Sequence, residues 1–462
     1  MPDSLRAVAE QSFDAIVIGA GPAGEVCAGR LAEGGLRTAI VEPHLIGGEC
    51  SYYACMPSKG LLRPGEALAE VRRIPGAAEA VTGQLDVGAV TRRRDEIIHG
   101  LDDSSQLPWL EERGIALFRG GGRLDGERRV QVGDQTLTAE QAVVVATGTT
   151  AAIPPIEGLR DVEPWTNREV TTTSEPPGRL AILGGGVVGV EMAQAWRSLG
   201  SQVTLVEAGD RVIAREEEFA SEQVAEALRE RGVDVRVGVK ATAARADGGE
   251  VTLELEGAPV VTADELLVAV GRRPNTDDIG LDSVGLEPGG YVEVGDHLRV
   301  EGRDWLYAIG DVNGRALLTH AGKYQARIAA AVILGEEATA TADGPMSPRV
   351  IFTDPQVAAV GHTAASARAE GLEVRVVDTG TSENAGGSFY GRGAPGTSRF
   401  VVDADRRLLV GATFTGAEVA EFLHAATIAV VAEVPLEQLR HAIPSFPTRS
   451  EVWLQLLEEF TL

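Results

Sequence analysis

Cys50 and Cys55 stand five positions apart in Gly47-Gly48-Glu49-Cys50-Ser51-Tyr52-Tyr53-Ala54-Cys55-Met56-Pro57-Ser58-Lys59. Two thiols at this spacing suit a disulfide that opens and closes, provided the backbone between them bends. In an undistorted helix their Cα atoms would lie ~8–9 Å apart, whereas a disulfide tolerates at most about 7 Å. Bonding therefore requires Cys50 outside a helix and Cys55 near its first turn. Pro57 suits that geometry, because proline is tolerated in a first turn and disfavours helical backbone at the preceding residue. The positive end of such a helix favours thiolate, the reactive form. A structural bridge or two unrelated buried thiols would satisfy the same residues, although a cytosolic chain rarely carries a purely structural bridge.

A redox pair needs an electron source and a scaffold. At 462 residues the chain is long enough for roughly three domains, each with its own core. No apolar run approaches the ~20 residues of a membrane span. The segment Met1 to Phe13 is polar and acidic, without the pattern of a signal peptide. The expectation is a cytoplasmic protein with no membrane partner. A formal net charge of −26 argues against nucleic acid, which rewards basic patches. Three cysteines exclude a disulfide-stapled scaffold, and no His and Cys spacing predicts a metal site. Lysine occurs only at 59, 240 and 323 while arginine is plentiful, so Lys59 is not the default source of positive charge.

The elements that would deliver electrons appear twice. A buried-strand pattern at Asp14 to Ile18 leads into Gly19-Ala20-Gly21-Pro22-Ala23-Gly24, a helical segment through about Gly35, and a strand from Thr38 that ends in Glu42. The order recurs at Leu180 to Leu183, Gly184-Gly185-Gly186-Val187-Val188-Gly189, a helix through Leu199, and Val203 to Val206 followed by Glu207. In both copies the acid lies eighteen positions after the third glycine. The first glycine makes the strand-to-helix turn, the second admits a pyrophosphate, and the third lets helix and strand pack closely. The acid at the end of the second strand is placed to accept from a ribose diol. Two such units predict two dinucleotides. Glu207 would repel a 2′-phosphate, so NADH is preferred over NADPH, moderately, because Arg211 and Arg215 are near in sequence.

With these motifs the chain resembles the FAD-dependent pyridine nucleotide–disulfide oxidoreductases, the group of dihydrolipoamide dehydrogenase, glutathione reductase and mercuric reductase. The resemblance covers nearly the whole length. Beyond the motifs above, it rests on Ala146-Thr147-Gly148, on Glu191, on Val270-Gly271-Arg272-Arg273-Pro274-Asn275, on Ala308-Ile309-Gly310-Asp311 and on Phe352-Thr353-Asp354-Pro355. It implies an α/β fold of two Rossmann-like dinucleotide-binding domains plus an α+β C-terminal dimerisation domain. The FAD-binding domain would take residues 1–150 and 276–345, the NAD(P)-binding domain 151–275, and the interface domain 346–462. A homodimer is implied, each active site borrowing residues from the partner.

Residue roles follow from the same resemblance. Gly19, Gly21, Pro22, Ala23, Gly24 and Glu42 would hold the adenosine diphosphate half of FAD. Gly48, Thr147, Gly148 and Gly310 would complete the FAD site, with Asp311 on the ribityl chain and Thr319 near the isoalloxazine. Gly122, in a glycine-rich hairpin Gly120-Gly121-Gly122, would touch adenine. Gly184, Gly186, Val187, Val188, Gly189, Glu207 and Gly271 would hold NAD. Lys59 and Glu191 would pair beside flavin N5, the lysine stabilising negative charge on reduced flavin. Cys55 would face the flavin and Cys50 would be the outer, interchange thiol. Cys27 reads as a small buried hydrophobe.

One departure changes the expected chemistry. Disulfide-reducing members carry His-Pro followed by Glu four residues after the proline, and that histidine shuttles protons for the interchange thiol. Here the stretch is Phe446-Pro447-Thr448-Arg449-Ser450-Glu451, which keeps Glu451 and puts phenylalanine in the acid–base position. His441 lies five residues earlier and reads as a surface or core residue. Tyr52 and Tyr53 replace small residues between the cysteines and are expected either to pack under the flavin or to line the access path. No cysteine pair stands at the C-terminal end. The expected activity is NAD(P)H-dependent reduction of FAD, then of the Cys50–Cys55 disulfide, then of a small disulfide or other small-molecule acceptor. A quinone or metal ion reduced directly from flavin is the alternative, and a non-catalytic redox sensor or flavoprotein subunit the second.

Overall fold

The computed structural model describes residues 10–391, 394 and 396–460. Five helices carry the residues of interest: Pro22–Glu33 (α1), Gly48–Tyr52 (α2), Cys55–Arg73 (α3), Val187–Ser198 (α4) and Thr319–Ile333 (α5). The chain divides into two compact units. One is drawn from Met1–Met56, Asp95–Thr150 and Arg272–Gly344, the other from Pro57–Arg94, Ala151–Gly271 and Pro345–Leu462.

The first unit is built on a seven-stranded sheet in the order Ala116–Arg119, Thr38–Glu42, Glu10–Ile18, Gln135–Val145, Arg129–Val132, Gly122–Leu124, with Leu306–Ala308 alongside Gln135–Val145. The strand Glu10–Ile18 runs parallel to Thr38–Glu42 and to Gln135–Val145, and its register sets Ile18 opposite both Val41 and Val145. Ala308 is also opposite Val145. Four parallel strands therefore end along one edge, and the loops that leave them carry Gly19–Gly24, His44 onward, Ala146–Gly148 and Ile309–Asp311. Ligands of open α/β sheets bind at such carboxyl ends. Ile16, Val17, Ile40, Val143 and Val144 are all fully buried, as a parallel strand covered on both faces requires.

Gly120 to Gly122 do not form the expected hairpin. Ala116–Arg119 pairs with Thr38–Glu42, while Gly122–Leu124 pairs with Arg129–Val132 at the other edge of the sheet. The glycines form a crossover. A Cβ on Gly122 would stand 2.9 Å from the Ile18 side chain and 3.1 Å from that of Val41, so the glycine is there for close packing.

In the second unit a parallel four-stranded sheet runs Asp234–Arg236, Gln202–Val206, Arg179–Leu183, Glu265–Val268. Leu183 is opposite both Val206 and Val268, which again gathers the loops with Gly184, Glu207 and Gly271 at one edge. Leu61 and Leu62 of α3 pack in one core with Val170, Ile182, Val190 and Trp196. The C-terminal segment forms an antiparallel sheet in the order Arg349–Ile351, Gln356–Gly361, Leu408–Gly416, Thr397–Asp403, Val374–Gly380. The helix Val419–Val431 shares a core with it, in which Phe400, Phe414 and Trp453 stack edge to face and at a tilt. Among the described residues no helix is long and apolar enough to cross a membrane.

Candidate active site

The two glycine units are built alike in atomic detail. Gly19 and Gly184 have φ of +106° and +110°, and a Cβ on either would meet the Ala146 or Ala269 carbonyl oxygen at 2.4 or 2.5 Å. Gly24 and Gly189 leave no room at all, since a Cβ would fall 1.9 and 2.0 Å from the carbonyl oxygens of Gly19 and Gly184. The middle glycines differ in kind: nothing stands within 4 Å of a Cβ on Gly21, and only the Ala269 oxygen at 4.0 Å near one on Gly186. Two glycines of each motif are thus required by the protein's own packing, and the middle one keeps a space open at a helix N-terminus. That space suits a pyrophosphate, whose oxygens would accept from the N–H groups of the first helical turn. Pro22 and Ala23 open α1, as Val187 and Val188 open α4, the valines remaining exposed.

Glu42 and Glu207 also match, in a way the sequence did not announce. One oxygen of Glu42 accepts the Ala20 N–H at 2.8 Å and the other the His44 N–H at 2.8 Å. Glu207 accepts from Gly185 and Gly209 at 2.6 Å each. Each carboxylate is therefore oriented by its own glycine loop and by the residue two positions on, and retains lone pairs for a ribose diol. Gly48, at φ +57°, brings its backbone against Gly21, so the loop before Cys50 forms part of the first cradle.

Beside that cradle lies a second polar chain. Thr149 donates to Asp311 at 2.8 Å, Arg272 reaches the Thr149 hydroxyl and carbonyl at 2.6 Å each, and the Glu49 carboxylate lies 3.7 Å from Arg272. Burial pushes Asp311 above the usual carboxylate range, with Thr149 and Arg272 opposing. Thr147 and Asn275 exchange bonds at 3.0 and 2.9 Å, and Gly310 donates to Gln325 at 2.8 Å. Arg272 and Glu49 lie within motifs that the sequence displays, but neither those motifs nor Thr149 marks the three residues as meeting one another. The set fits FAD: an open phosphate space, an oriented carboxylate suited to a ribose diol, and a half-buried acid suited to ribityl hydroxyls.

Cys50 and Cys55 are free thiols, both half-buried. Cys50 sits in a helical turn of its own, α2, and Tyr53 at φ −134° breaks the path before Cys55 opens α3. The bend required by the spacing is present, with Pro57 the third residue of the second helix. The bond to Cys55 holds the Cys50 thiol above its ordinary range, burial and repulsion from a Cys55 anion add to this, and Thr319 and Lys323 oppose. Cys50 therefore holds its proton tightly. The Thr319 hydroxyl lies 3.4 Å from Cys55 Sγ and also reaches Cys50. Tyr52 is 1 % exposed, so it packs under the loop and offers no face for stacking, while Tyr53 is half-buried. Cys27 is fully buried and its thiol is pushed up to about 12, as an inert core residue should be.

Lys59, the fifth residue of α3, meets Glu191 of α4 at 2.8 Å. Glu191 is buried and its second oxygen accepts the Phe352 N–H at 2.9 Å. The Lys59 ammonium also lies over the Phe352 ring, 4.7 Å from its centre. Farther along, Phe446 is 76 % exposed and joined to Pro447 by a cis peptide. Arg449 anchors this loop, stacked between Tyr390 at 4.5 Å and Phe422 at 5.2 Å. Glu451 keeps one buried oxygen that no described residue bonds. His441 is exposed.

Two like-built dinucleotide cradles, with a dithiol held beside the first, define an oxidoreductase that works with nicotinamide and flavin. The chain belongs to the pyridine nucleotide-disulphide oxidoreductase family, whose description matches residues 13–331, while residues 347–457 match that family's dimerisation domain. Members use FAD and NAD(P)H and act on sulfur groups. A mercuric reductase of Staphylococcus aureus is 30% identical over 448 residues, spanning 95% of this chain and 81% of its own. A dihydrolipoyl dehydrogenase of Chlamydia muridarum is 30% identical over 453 residues, 96% of each chain. The solved structure of a Cu(II) complex of the HOCl-induced flavoprotein disulfide reductase RclA from Escherichia coli superposes with a TM-score of 0.85 at 25% identity, covering 97% of this chain and 99% of that one.

Proposed function

We propose that this protein is an NADH-dependent flavoenzyme whose Cys50–Cys55 pair is the redox centre, working as a cytoplasmic homodimer. The carrying observation is the pair of free thiols, with the Thr319 hydroxyl 3.4 Å from Cys55 Sγ, in the unit that holds the first cradle. Bound FAD would carry two electrons between nicotinamide and the pair. Opening the disulfide takes two electrons and one proton and yields the Cys50 thiol and the Cys55 thiolate, the charge state that the mutual hydrogen bond favours. Thr319 steadies that anion, and Lys59, held by Glu191, would balance negative charge at flavin N5. Arg211 is turned onto the carbonyls of Glu216 and Ala214 at 3.0 and 2.8 Å. Arg211 is thus committed to backbone carbonyls away from a 2′-phosphate, which supports NADH over NADPH.

Phe446 favours an acceptor that needs no thiol-proton relay, a quinone or a metal ion. General acid–base help is worth about 10²–10⁴ in rate, so without it turnover of dihydrolipoamide or glutathione disulfide should be slow. The relatives named for mercuric ion, and the copper complex of RclA, support a metal ion among the candidates. Anaerobic titration with NADH tests the core of this reading. A two-electron-reduced form with a long-wavelength thiolate–flavin band is expected, and failure of either nicotinamide to reduce the protein would overturn it. Robust turnover with either disulfide would remove the case built on Phe446. For the acceptor, Cys50→Ser should keep quinone reduction if electrons leave directly from the flavin and abolish it if they pass through the pair.

A further inference from the structure

The loop from Pro43 to Gly47 joins the acid of the first cradle to the turn that carries Cys50, and its polar backbone is held from two sides. From inside, Glu42 accepts the His44 N–H at 2.8 Å, and the Ala20 carbonyl accepts the Gly47 N–H at 2.7 Å. From outside comes an ion pair that belongs to neither the glycine motif nor the thiol motif. Arg119, the last residue of its strand and in register with Glu42, donates to the His44 carbonyl at 2.7 Å and to Asp103 at 2.6 Å. The same Asp103 oxygen accepts the Ile46 N–H at 2.8 Å. Ile46 is fully buried, so its N–H is closed to solvent and depends on Asp103. The loop also has little slack. A Cβ on Gly47 would meet Ser51 Oγ at 2.9 Å and the Tyr52 ring at 3.1 Å, and one on Gly48 would meet Gly21 Cα at 2.8 Å. The turn α2 is thus seated on the loop, and the loop on the cradle.

We propose that Asp103 and Arg119 are positioning residues of the thiol pair: their ion pair clasps the loop from Pro43 to Gly47 and so keeps α2, with Cys50, seated against the first cradle. This rests on the reading that Cys50 and Cys55 form the redox centre. The two residues act through the backbone of His44 and Ile46, six and four positions before Cys50. The planar guanidinium spans the His44 carbonyl and the Asp103 carboxylate at once, a fork that a lysine ammonium does not offer. With the clasp broken, the buried Ile46 N–H loses its acceptor. The loop then opens locally, and Cys50 becomes more accessible while the core of the same unit stays shut.

Site-resolved alkylation of the FAD-bound protein tests this without any need for turnover. The protein is reduced with dithiothreitol, desalted anaerobically and treated with iodoacetamide, and each cysteine is followed by mass spectrometry. Cys27 is fully buried in α1 of the same unit, so it reports opening of the unit as a whole. Asp103→Ala should speed alkylation of Cys50 about tenfold with Cys27 still protected. Arg119→Gln should speed it about threefold, because Asp103 still holds Ile46. Asp103→Asn, which keeps an acceptor for Ile46 but loses the charge, should match Arg119→Gln. Asp102 bonds the Ser104 N–H of its own segment at 2.8 Å, and Asp102→Ala should leave the Cys50 rate at its wild-type value. An unchanged Cys50 rate in Asp103→Ala, a rise that comes only together with that of Cys27, or an equal rise in Asp102→Ala overturns the proposal. If Asp103→Ala does not retain FAD, Arg119→Gln decides by the same criteria. NADH titration of the wild type reports separately on whether the pair is the redox centre.

Discussion

Lys59 Nζ and Glu191 Oε2 stand 2.8 Å apart, and the other oxygen of the same carboxylate accepts the Phe352 N–H at 2.9 Å. One buried acid thus fixes a lysine and a backbone segment together. Lys59 is about a third exposed, so the ion pair itself adds only ~1 kcal/mol or less to stability. Its consequence is orientation. Glu191→Gln keeps one acceptor oxygen, enough for the Phe352 N–H, and removes the charge that holds Lys59. Flavin reduction by NADH in stopped flow should slow about tenfold or more, with little change in thermal midpoint. Glu191→Ala should lose both. An unchanged rate in the glutamine variant would remove Lys59 from the flavin side of the chemistry.

The glycines separate cofactor binding from folding. Gly24→Ala would drive a Cβ to 1.9 Å from the Gly19 oxygen, so it should cost stability whatever is bound. Gly21→Ala meets nothing in the protein, and it should fold normally while losing FAD, read as a fall in the ratio of flavin to protein absorbance. Gly186→Ala should keep FAD and raise the KM for NADH about tenfold, roughly 1.4 kcal/mol. Flavin loss in Gly186→Ala with retention in Gly21→Ala would reverse the assignment of the two cradles.

Glu25 gives the stability a pH dependence with a definite sign. Its carboxyl titrates at about 7 in the folded chain against 4.5 as an unperturbed group, because burial disfavours the anion. The folded state therefore binds this proton more tightly than the unfolded state. Below about pH 4.5 both states are protonated and no penalty exists; it grows as pH rises and is complete above about 7. Glu25→Gln should raise the thermal midpoint at about pH 8, by an amount on the order of 2 kcal/mol, and leave it unchanged near pH 4. Equal effects at both pH values would show a packing change instead of a titration.

The parts of the site that the sequence made legible are those whose chemistry fixes both residue type and spacing. Gly19, Gly24, Gly184 and Gly189 are demanded by carbonyl oxygens that a Cβ would strike, and the bend between Cys50 and Cys55 follows from the reach of a disulfide. What stayed hidden are contacts between segments distant in sequence. Arg272 reaching Thr149 and Phe352 bound to Glu191 are set by strand order and helix packing, which leave no local signature. Gly120 to Gly122 misled for the same reason: a glycine cluster between two short strands reads as a hairpin, and only the pairing of those strands at opposite sheet edges shows a crossover. For Tyr52 the sequence left packing and access both open, because an aromatic ring carries no mark of which way it turns, and its burial selects packing.

Phe446 offers the sharpest test of how electrons leave. In the loop around it Arg449 is stacked between Tyr390 and Phe422, and one Glu451 oxygen has no partner among the described residues. A histidine introduced at 446 would therefore find a carboxylate nearby in sequence to orient its ring, the usual requirement for a general base. Phe446 is 76 % exposed, so the replacement disturbs no core. Phe446→His should raise NADH-dependent turnover of a small disulfide by about 10²-fold, with a pH profile that gains a limb near the histidine range. Quinone or metal-ion reduction should change little. If disulfide turnover does not rise while the protein still dimerises and binds FAD, the loop does not serve the thiols in this chain. Reduction of the acceptor would then have to proceed from the flavin or from the Cys50 thiol unaided.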